Sequence, residues 1–159
     1  MKYVIVFLVS VVLIGCQSQE DLKKMMREEI AKASAKTFYP SAEVIGPYSP
    51  AVQVGSMLFV SGQIGMNPQT GQFPGNDIEG QTRQALVNLM SILGKAGFDS
   101  SDVVQCSVYL RDMKEFSKMN LIYGGFFAEG RYPTRTTVEV SNLPRDARIE
   151  ISAIACKSK

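Results

Sequence analysis

The sequence predicts a single α+β domain, a mixed β-sheet with two helices on one face, preceded by a short segment of different composition. Strand and helix patterns follow one another in the order strand, strand, helix, strand, helix, strand, strand, which is typical of this fold class. The last stretch, Tyr132–Ala155, contains two runs in which successive residues alternate between apolar and polar. A chain of 159 residues, 45% of them hydrophobic, has room for one domain with a sizeable core.

The first two strands are predicted to form a hairpin. Ala51–Val54 and Met57–Gln63 have strand-like sequences, and they flank Gly55 and Ser56. Glycine followed by serine suits a two-residue turn of type II′, because glycine adopts the positive φ that this turn requires at its first position.

A helix and a third strand follow. Asp77 is a suitable N-cap for a helix that runs to about Lys95, and Gly97 provides its C-terminal stop. The run Val103–Leu110 then has the composition of a strand.

The second helix is predicted to begin after Asp112, which has the spacing of a capping box with Glu115. Asn120 lies within the apolar stripe of this helix. Since a buried Asn needs hydrogen-bond partners, it either links the helix to a loop or belongs to a site. The residues expected to face inward are Phe116, Met119, Tyr123 and Phe127.

The last two strands carry two charged residues in otherwise core-like sequence. Thr136–Val140 is rich in β-branched residues, and a turn at Asn142–Asp146 leads to the final strand. Arg135 and Glu150 are either an ordinary cross-strand ion pair, or solvated, or part of a ligand site, because a charge among apolar residues needs a partner. The apolar face of the final strand consists of Ile149, Ile151, Ala153 and Ala155.

The composition excludes several kinds of chemistry. The chain contains no histidine, so it has neither a Ser-His-Asp nor a Cys-His centre, nor a His-liganded metal site. Its three cysteines are far apart in sequence and form no Cys-x-x-Cys pair, which argues against a zinc or redox motif. With 17 basic and 15 acidic residues, no charge excess favours nucleic acid as a partner.

The N-terminus predicts export and lipidation. The apolar run Val4–Ile14 is too short to span a bilayer but suits the central region of a signal peptide. It ends in Leu13-Ile14-Gly15-Cys16, which resembles the lipobox of bacterial lipoproteins. We therefore expect residues 1–15 to be a signal peptide and Cys16 to be the lipidated first residue; a free Cys16 in an uncleaved anchor is the alternative. Gln17, by the same resemblance, favours the outer membrane of the bacterial cell envelope, facing the periplasm.

Residues 16–37 are predicted to be a lipidated tether, and residues 38–159 the folded domain. Blocks of opposite charge alternate after Cys16, and Leu22, Met26 and Ile30 recur at helical spacing. A marginal amphipathic helix or a flexible tether fits this pattern, and a coiled-coil stalk is the alternative.

Five separated motifs, spanning about Val44 to Ala155, resemble the reactive intermediate deaminase (Rid) family. They are Ile45-Gly46-Pro47-Tyr48, Ser61-Gly62-Gln63, Asn120 before Phe126-Phe127, Pro133-Thr134-Arg135, and Leu143-Pro144 with Ile149-Glu150-Ile151. The resemblance implies a chorismate-mutase-like fold and a homotrimer with ligand clefts between subunits. It also implies hydrolysis of 2-imino acids such as 2-iminobutanoate and 2-iminopropanoate, or of their enamine tautomers, to 2-oxo acids and ammonia, with neither metal nor cofactor.

The resemblance also assigns roles to individual residues. Arg135 falls on the arginine that binds the substrate carboxylate, and Glu150 on the glutamate that positions or deprotonates the attacking water. Many members have cysteine where this chain has Thr137, which alters the pocket. The substrate-binding positions fall on Tyr48, Ser61, Asn120 and Thr137.

Two alternatives to a deaminase remain. The first is that the exported chain is a lipid-anchored binding protein, in which the same cleft binds a small carboxylate without turnover. A ribonuclease activity is the other, and the near-neutral charge and absent histidine argue against it. Release of ammonia from a freshly generated imino acid separates the enzyme from the binding protein.

Overall fold

The computed structural model describes residues 18–31, 34–40 and 46–158. The predicted signal peptide, residues 1–15, and Cys16 lie outside these ranges. Contacts between Cα atoms divide the chain into two compact units at Ala35 and Lys36, two residues before the boundary predicted from composition. Each unit is therefore described by itself.

In the first unit, residues 18–31 form helix α1, and all of their side chains are exposed. Leu22, Met26 and Ile30 lie one turn apart along it, as their spacing predicts. No helix in the part of the chain that the structure describes is long and apolar enough to cross a membrane.

The second unit is built on a six-stranded mixed sheet in the order β1-β2-β3-β6-β4-β5. Neighbouring strands are antiparallel except β4 and β5, which are parallel. The mixed sheet predicted from sequence is thus confirmed, although β1 was not predicted. The strands are β1 (Lys36–Tyr39), β2 (Ala51–Val54), β3 (Met57–Ile64), β4 (Val103–Leu110), β5 (Thr134–Glu139) and β6 (Ile149–Cys156).

Two helices, α2 (Ile78–Lys95) and α3 (Phe116–Gly124), contribute to the core that covers one face of this sheet. Asp77 caps α2 as predicted, its Oδ1 accepting a hydrogen bond of 2.6 Å from the Gly80 amide. Gly97 follows α2 with a φ of 78°. The fully buried side chains of the two helices include Leu86, Leu89, Leu93 and Met119. On the opposite face of the sheet, the described residues of this unit form no helix.

The hairpin between β2 and β3 forms at the predicted residues, and Gly55 has the positive φ of 58° that a type II′ turn requires. Further along β3, the register against β6 shifts between Val60 and Gln63, so that two residues, Ser61 and Gly62, oppose the single residue Ser152. This irregularity is a β-bulge, which bends the strand and redirects its side chains.

The predicted capping box at the start of α3 is wrong. Asp112 instead caps a short 3₁₀ turn, Met113–Glu115, by accepting from the Lys114 amide at 2.9 Å. The Glu115 carboxylate turns toward Arg148 and accepts from its Nη1 at 2.7 Å. A hydrogen bond from a charged guanidinium to a carboxylate is stronger than one from a backbone amide, so the ion pair forms in place of the reciprocal cap.

The possibility of a cross-strand ion pair between Arg135 and Glu150 is also contradicted. Strand β4 lies between β5 and β6, so the two strands that carry these residues are not neighbours. Arg135 is the register partner of buried Cys106 and faces the helices. Glu150 alternates with buried Ile149 and Ile151 and faces the other side of the sheet.

The two cysteines of the folded unit differ from each other. Cys106 is fully buried in the core. Cys156 is half-buried on the helix-free face, with its Sγ 3.7 Å from the Ser56 Oγ. Both thiols are free.

Candidate active site

A groove of about 290 Å³ lies on the helix-free face of the sheet, at the bulge in β3. Three of the residues predicted for the site line it together, namely Tyr48, Ser61 and Glu150. The lining is completed by Gly62, Ile64 and Pro144.

Glu150 is the ionisable group of this groove. It is the register partner of Ile64, so both side chains rise from the same face of the sheet. Burial raises the pKa of its carboxyl group above the ordinary value. Within the described residues no hydrogen bond or ion pair involves Glu150, which leaves both carboxylate oxygens available to a ligand or water.

Gly62 makes room for that carboxylate. A methyl group on Gly62 would collide with the Glu150 carboxylate oxygen and come within 2.6 Å of its Cδ. Glycine is therefore required at this position of the bulge if the carboxylate is to keep its place.

Ser61 ties the Tyr48 segment to β3. Its hydroxyl donates to the Ser49 carbonyl at 2.7 Å, and its amide donates to the Pro50 carbonyl at 2.9 Å. Because the hydroxyl is engaged in this way, Ser61 shapes the groove by holding the backbone beside Tyr48. The Tyr48 ring itself is 45% exposed at the mouth of the groove.

A tight turn brings Pro144 to the groove from the other side. Arg145 and Asp146 both have left-handed backbone conformations, with φ values of 59° and 57°. Such conformations cost about 1–3 kcal/mol each for non-glycine residues and persist where surrounding contacts hold them. Arg111 supplies one such contact, donating from Nη1 to the Asp146 carbonyl at 3.3 Å.

The second group of predicted site residues surrounds Arg135 on the helix-bearing face. The Arg135 Nη2 donates to the Asn120 Oδ1 at 2.8 Å. Its guanidinium carbon lies 4.5 Å from the centre of the Tyr123 ring and 5.6 Å from that of Phe116. Asn120 is thus neither buried nor a link from helix to loop; it is exposed and joins α3 to β5.

Two hydroxyl groups are buried close to Arg135. Thr137 follows Arg135 on the same face of β5, and its Oγ1 has no hydrogen-bond partner among the described residues. The Tyr123 hydroxyl lies beside the thiol of Cys106, a weak hydrogen-bonding group. Burial, together with the neighbouring Cys106, raises the pKa of Tyr123 far above its ordinary value, so this phenol stays protonated. Burial also raises the pKa of the Cys106 thiol, which keeps it neutral and poorly nucleophilic.

The structure therefore divides the predicted site into two halves. Tyr48, Ser61 and Glu150 lie on the helix-free face, whereas the Arg135 group lies on the helix-bearing face, across β4. One chain does not bring the two halves into a single cleft.

A larger cleft of about 730 Å³ lies elsewhere on the unit and includes none of the predicted residues. Its two arginines are engaged with carboxylates: Arg148 pairs with Glu115 at 2.7 Å, and Arg111 lies 3.8 Å from the Asp146 carboxylate. Because both guanidinium groups are already paired, they anchor a small carboxylate less well than Arg135 does.

A model of the family described as Endoribonuclease L-PSP matches residues 40–157, about three quarters of the chain. The chain belongs to this family, the Rid family. The resemblance inferred from the five motifs is thereby confirmed.

Relatives of known sequence and structure agree with this membership. A RutC family protein from Pyrococcus horikoshii is 50% identical over 113 residues, which are 71% of this chain and 89% of the relative. TdcF of Escherichia coli, a candidate reactive intermediate deaminase, is 43% identical over 116 residues, covering 72% of this chain and 89% of TdcF. The crystal structure of E. coli TdcF with bound serine superposes with a TM-score of 0.71, covering 77% of this chain and all of that one. A Rid family protein from Yersinia pestis superposes with a TM-score of 0.73 at 40% identity, over 77% of this chain and 100% of its own.

Some residues of the candidate site were expected only in the core or stood within a motif. Phe116 and Tyr123 were expected to face inward, and their contact with Arg135 was not predicted. Their spacing with Asn120, four and then three residues, indicates a common helix face and was the available signal. Gly62 stood within a quoted motif, but only the fold shows what it accommodates.

Proposed function

We propose that this protein hydrolyses 2-imino acids, or their enamine tautomers, to 2-oxo acids and ammonia. The observation that carries the proposal is the pair of half-sites: an unengaged carboxylate with a raised pKa, and a guanidinium held by Asn120 with N–H donors to spare. The Rid family membership and the name of TdcF support the same reaction class.

The geometry suits this chemistry. A guanidinium can donate two parallel hydrogen bonds to one carboxylate, which makes Arg135 the group that anchors the acid end of the substrate. Glu150 takes a proton from water as the water oxygen bonds to the imine carbon. That proton passes to the nitrogen and gives a carbinolamine. The carbinolamine hydroxyl then gives its proton, through Glu150, to the amino group; the carbon–oxygen double bond forms as the carbon–nitrogen bond breaks, and ammonia leaves. A positioned carboxylate base contributes roughly 10²- to 10⁴-fold in rate.

The substrate requires both groups, and so we propose that two copies of the chain supply them in a homotrimer. Support comes from the helix-free face of the sheet, which also carries Glu150. Its exposed apolar residues include Met57, Phe59 and Val138, with half-buried Tyr109 and Ile154 beside them. An apolar sheet face without helices is suited to burial against another copy.

Ammonia release tests the activity. We expect the purified protein to release ammonia from 2-iminobutanoate generated in the assay by an amino-acid oxidase, above the rate in water. Arg135→Lys keeps the charge but loses the bidentate geometry, and Arg135→Ala loses both, so both variants should fold and lose most of the activity. If the wild type binds 2-oxo acids but does not accelerate ammonia release, the protein is a binding protein instead.

We also propose that Cys16 is lipidated and that the domain is held at the bacterial cell envelope, facing the periplasm at the outer membrane. The lipobox-like sequence before Cys16 supports this proposal. Metabolic labelling with a fatty acid should mark the wild type and not Cys16→Ala. A wild-type protein that stays unlabelled and soluble contradicts it.

A further inference from the structure

The residues around Arg135 restrict the orientation of its guanidinium group. Three residues of α3 contact it from one helix face: Phe116, Asn120 and Tyr123. Asn120 accepts one hydrogen bond, whereas the two rings approach the guanidinium carbon and present no carbonyl or carboxylate that would compete with a ligand.

We propose that Tyr123, assisted by Phe116, is a positioning residue that holds Arg135 in the orientation required for a substrate carboxylate. This inference rests on the proposed function. It adds that substrate affinity depends partly on residues that do not touch the substrate.

Contact geometry supports this role. At 4.5 Å from the ring centre, the guanidinium carbon is well inside the distance of about 6 Å at which cation–π attraction is significant. The Tyr123 side chain is itself fixed, being 3% exposed, with its ring centre 4.9 Å from that of Phe127. A flexible arginine is thus held against an immobile ring, and less rotational freedom remains to be lost when the carboxylate binds.

The ring carries this effect, and the hydroxyl does not. The Tyr123 hydroxyl is buried beside the Cys106 thiol, which is a weak hydrogen-bonding group. Tyr123→Phe removes that hydroxyl and keeps the aromatic face. Tyr123→Leu keeps an apolar side chain in the core and eliminates that face. The two substitutions therefore separate positioning from packing.

Ligand affinity provides the first test, with 2-oxobutanoate as the carboxylate probe and 2-oxobutanamide as its uncharged counterpart. Tyr123→Leu should weaken binding of 2-oxobutanoate about tenfold and leave binding of the amide unchanged. Tyr123→Phe should bind both as the wild type does. Phe98→Leu is the matched control, because it removes a buried ring of the same core for which no contact with Arg135 or Tyr123 is found among the described residues.

The second test observes Arg135 directly and does not depend on activity. In an NMR spectrum of the free protein, the Arg135 Nε–H signal, assigned by its loss in Arg135→Lys, should be displaced by the ring current of Tyr123. It should keep that displacement in Tyr123→Phe and Phe98→Leu and lose it in Tyr123→Leu. If Tyr123→Leu does not fold, Phe116→Leu replaces it, with the same direction and a smaller effect because its ring is 5.6 Å away.

The outcomes separate this inference from the proposed function. A folded Tyr123→Leu that binds 2-oxobutanoate as the wild type does, or that loses both probes equally, overturns the positioning role alone. A wild type that binds no 2-oxo acid overturns the proposed function and this inference with it. Selective loss of the carboxylate probe together with the NMR change supports both.

Discussion

Glu150 lies half-buried on the helix-free face, against the Gly62 backbone, and this position controls its protonation. Burial disfavours the charged form of a carboxyl group, which is why the pKa of Glu150 is raised. Gly62 affects the same group sterically, because its lack of a side chain leaves room for the carboxylate.

The pH dependence of turnover should report Glu150. A base must be ionised, so activity should fall as the pH drops through the pKa of Glu150, at a pH above that expected for an ordinary glutamate. This acidic limb of the pH–rate profile should disappear, together with most of the activity, in Glu150→Gln. A profile whose acidic limb is unchanged in a residually active Glu150→Gln contradicts the assignment.

The protonation of Glu150 should also affect the stability of the protein. Since the pKa of Glu150 is raised in the folded state, its contribution to stability is present below the ordinary pKa and is lost as the pH rises through the raised value. Glu150→Gln should therefore be at least as stable as the wild type at neutral pH, as measured by chemical denaturation.

Gly62→Ala should lower activity without unfolding the protein. The added methyl group would displace the Glu150 carboxylate, which is the end of a flexible side chain and can move. We expect at least a tenfold loss of turnover, since misplacing a catalytic group by about 1 Å costs up to 10²-fold. Gly94→Ala is the control, because a Cβ at Gly94 meets nothing within 4 Å. Equal activity of the two variants would show that the carboxylate need not lie where the structure places it.

Helix α2 supplies much of the core, whereas helix α3 supplies the contacts to Arg135. The start of α2 depends on a local interaction, the hydrogen bond from the Gly80 amide to the Asp77 Oδ1 at 2.6 Å. Asp77 and Glu79 also place negative charge where the helix dipole is positive. The stability of this element is therefore separable from the chemistry of the site.

Asp77→Ala should lower the free energy of unfolding by about 1 kcal/mol, because it removes the N-cap of α2. Asp77→Asn retains a capping oxygen and should cost much less. Turnover per folded protein should stay the same in both, since Asp77 takes no part in either half-site. Equal thermal melts of the Ala and Asn variants would disprove the contribution of the cap.

Arg135 and Glu150 lie on opposite faces of the sheet, so a cleft that contains both requires residues from two copies of the chain. A cyclic trimer, as proposed, can place the Arg135 side of one copy against the Glu150 side of the next. Each copy would then contribute to two clefts, and a monomer would contain no complete cleft.

Mixing two inactive variants tests the shared cleft. Trimers reassembled from equal amounts of Arg135→Ala and Glu150→Gln chains should recover about one quarter of wild-type activity, because a random neighbour pair supplies both intact groups with that frequency. Each variant alone should remain inactive. Sedimentation must show a trimer in all samples; a monomer, or mixed trimers without recovered activity, would rule out the shared cleft.

The extent of the individual elements was largely determined by the sequence. The cap at Asp77, the stop at Gly97 and the turn at Gly55 are local signals, and the structure confirms each of them. Arg135 and Glu150 were also selected from sequence, because charges in core-like strands are unusual and because the family motifs cover them. Short-range spacing and side-chain chemistry suffice for such predictions.

Only the tertiary structure decided how these parts meet. Strand β6 lies between β3 and β4, so β4 separates it from its sequence neighbour β5 and Arg135 is not paired with Glu150. The rings of Phe116 and Tyr123 beside Arg135, and the room that Gly62 leaves for Glu150, depend on the same long-range pairing. Strand order results from the packing of distant segments around a common core, for which periodicity within any one segment contains no signal.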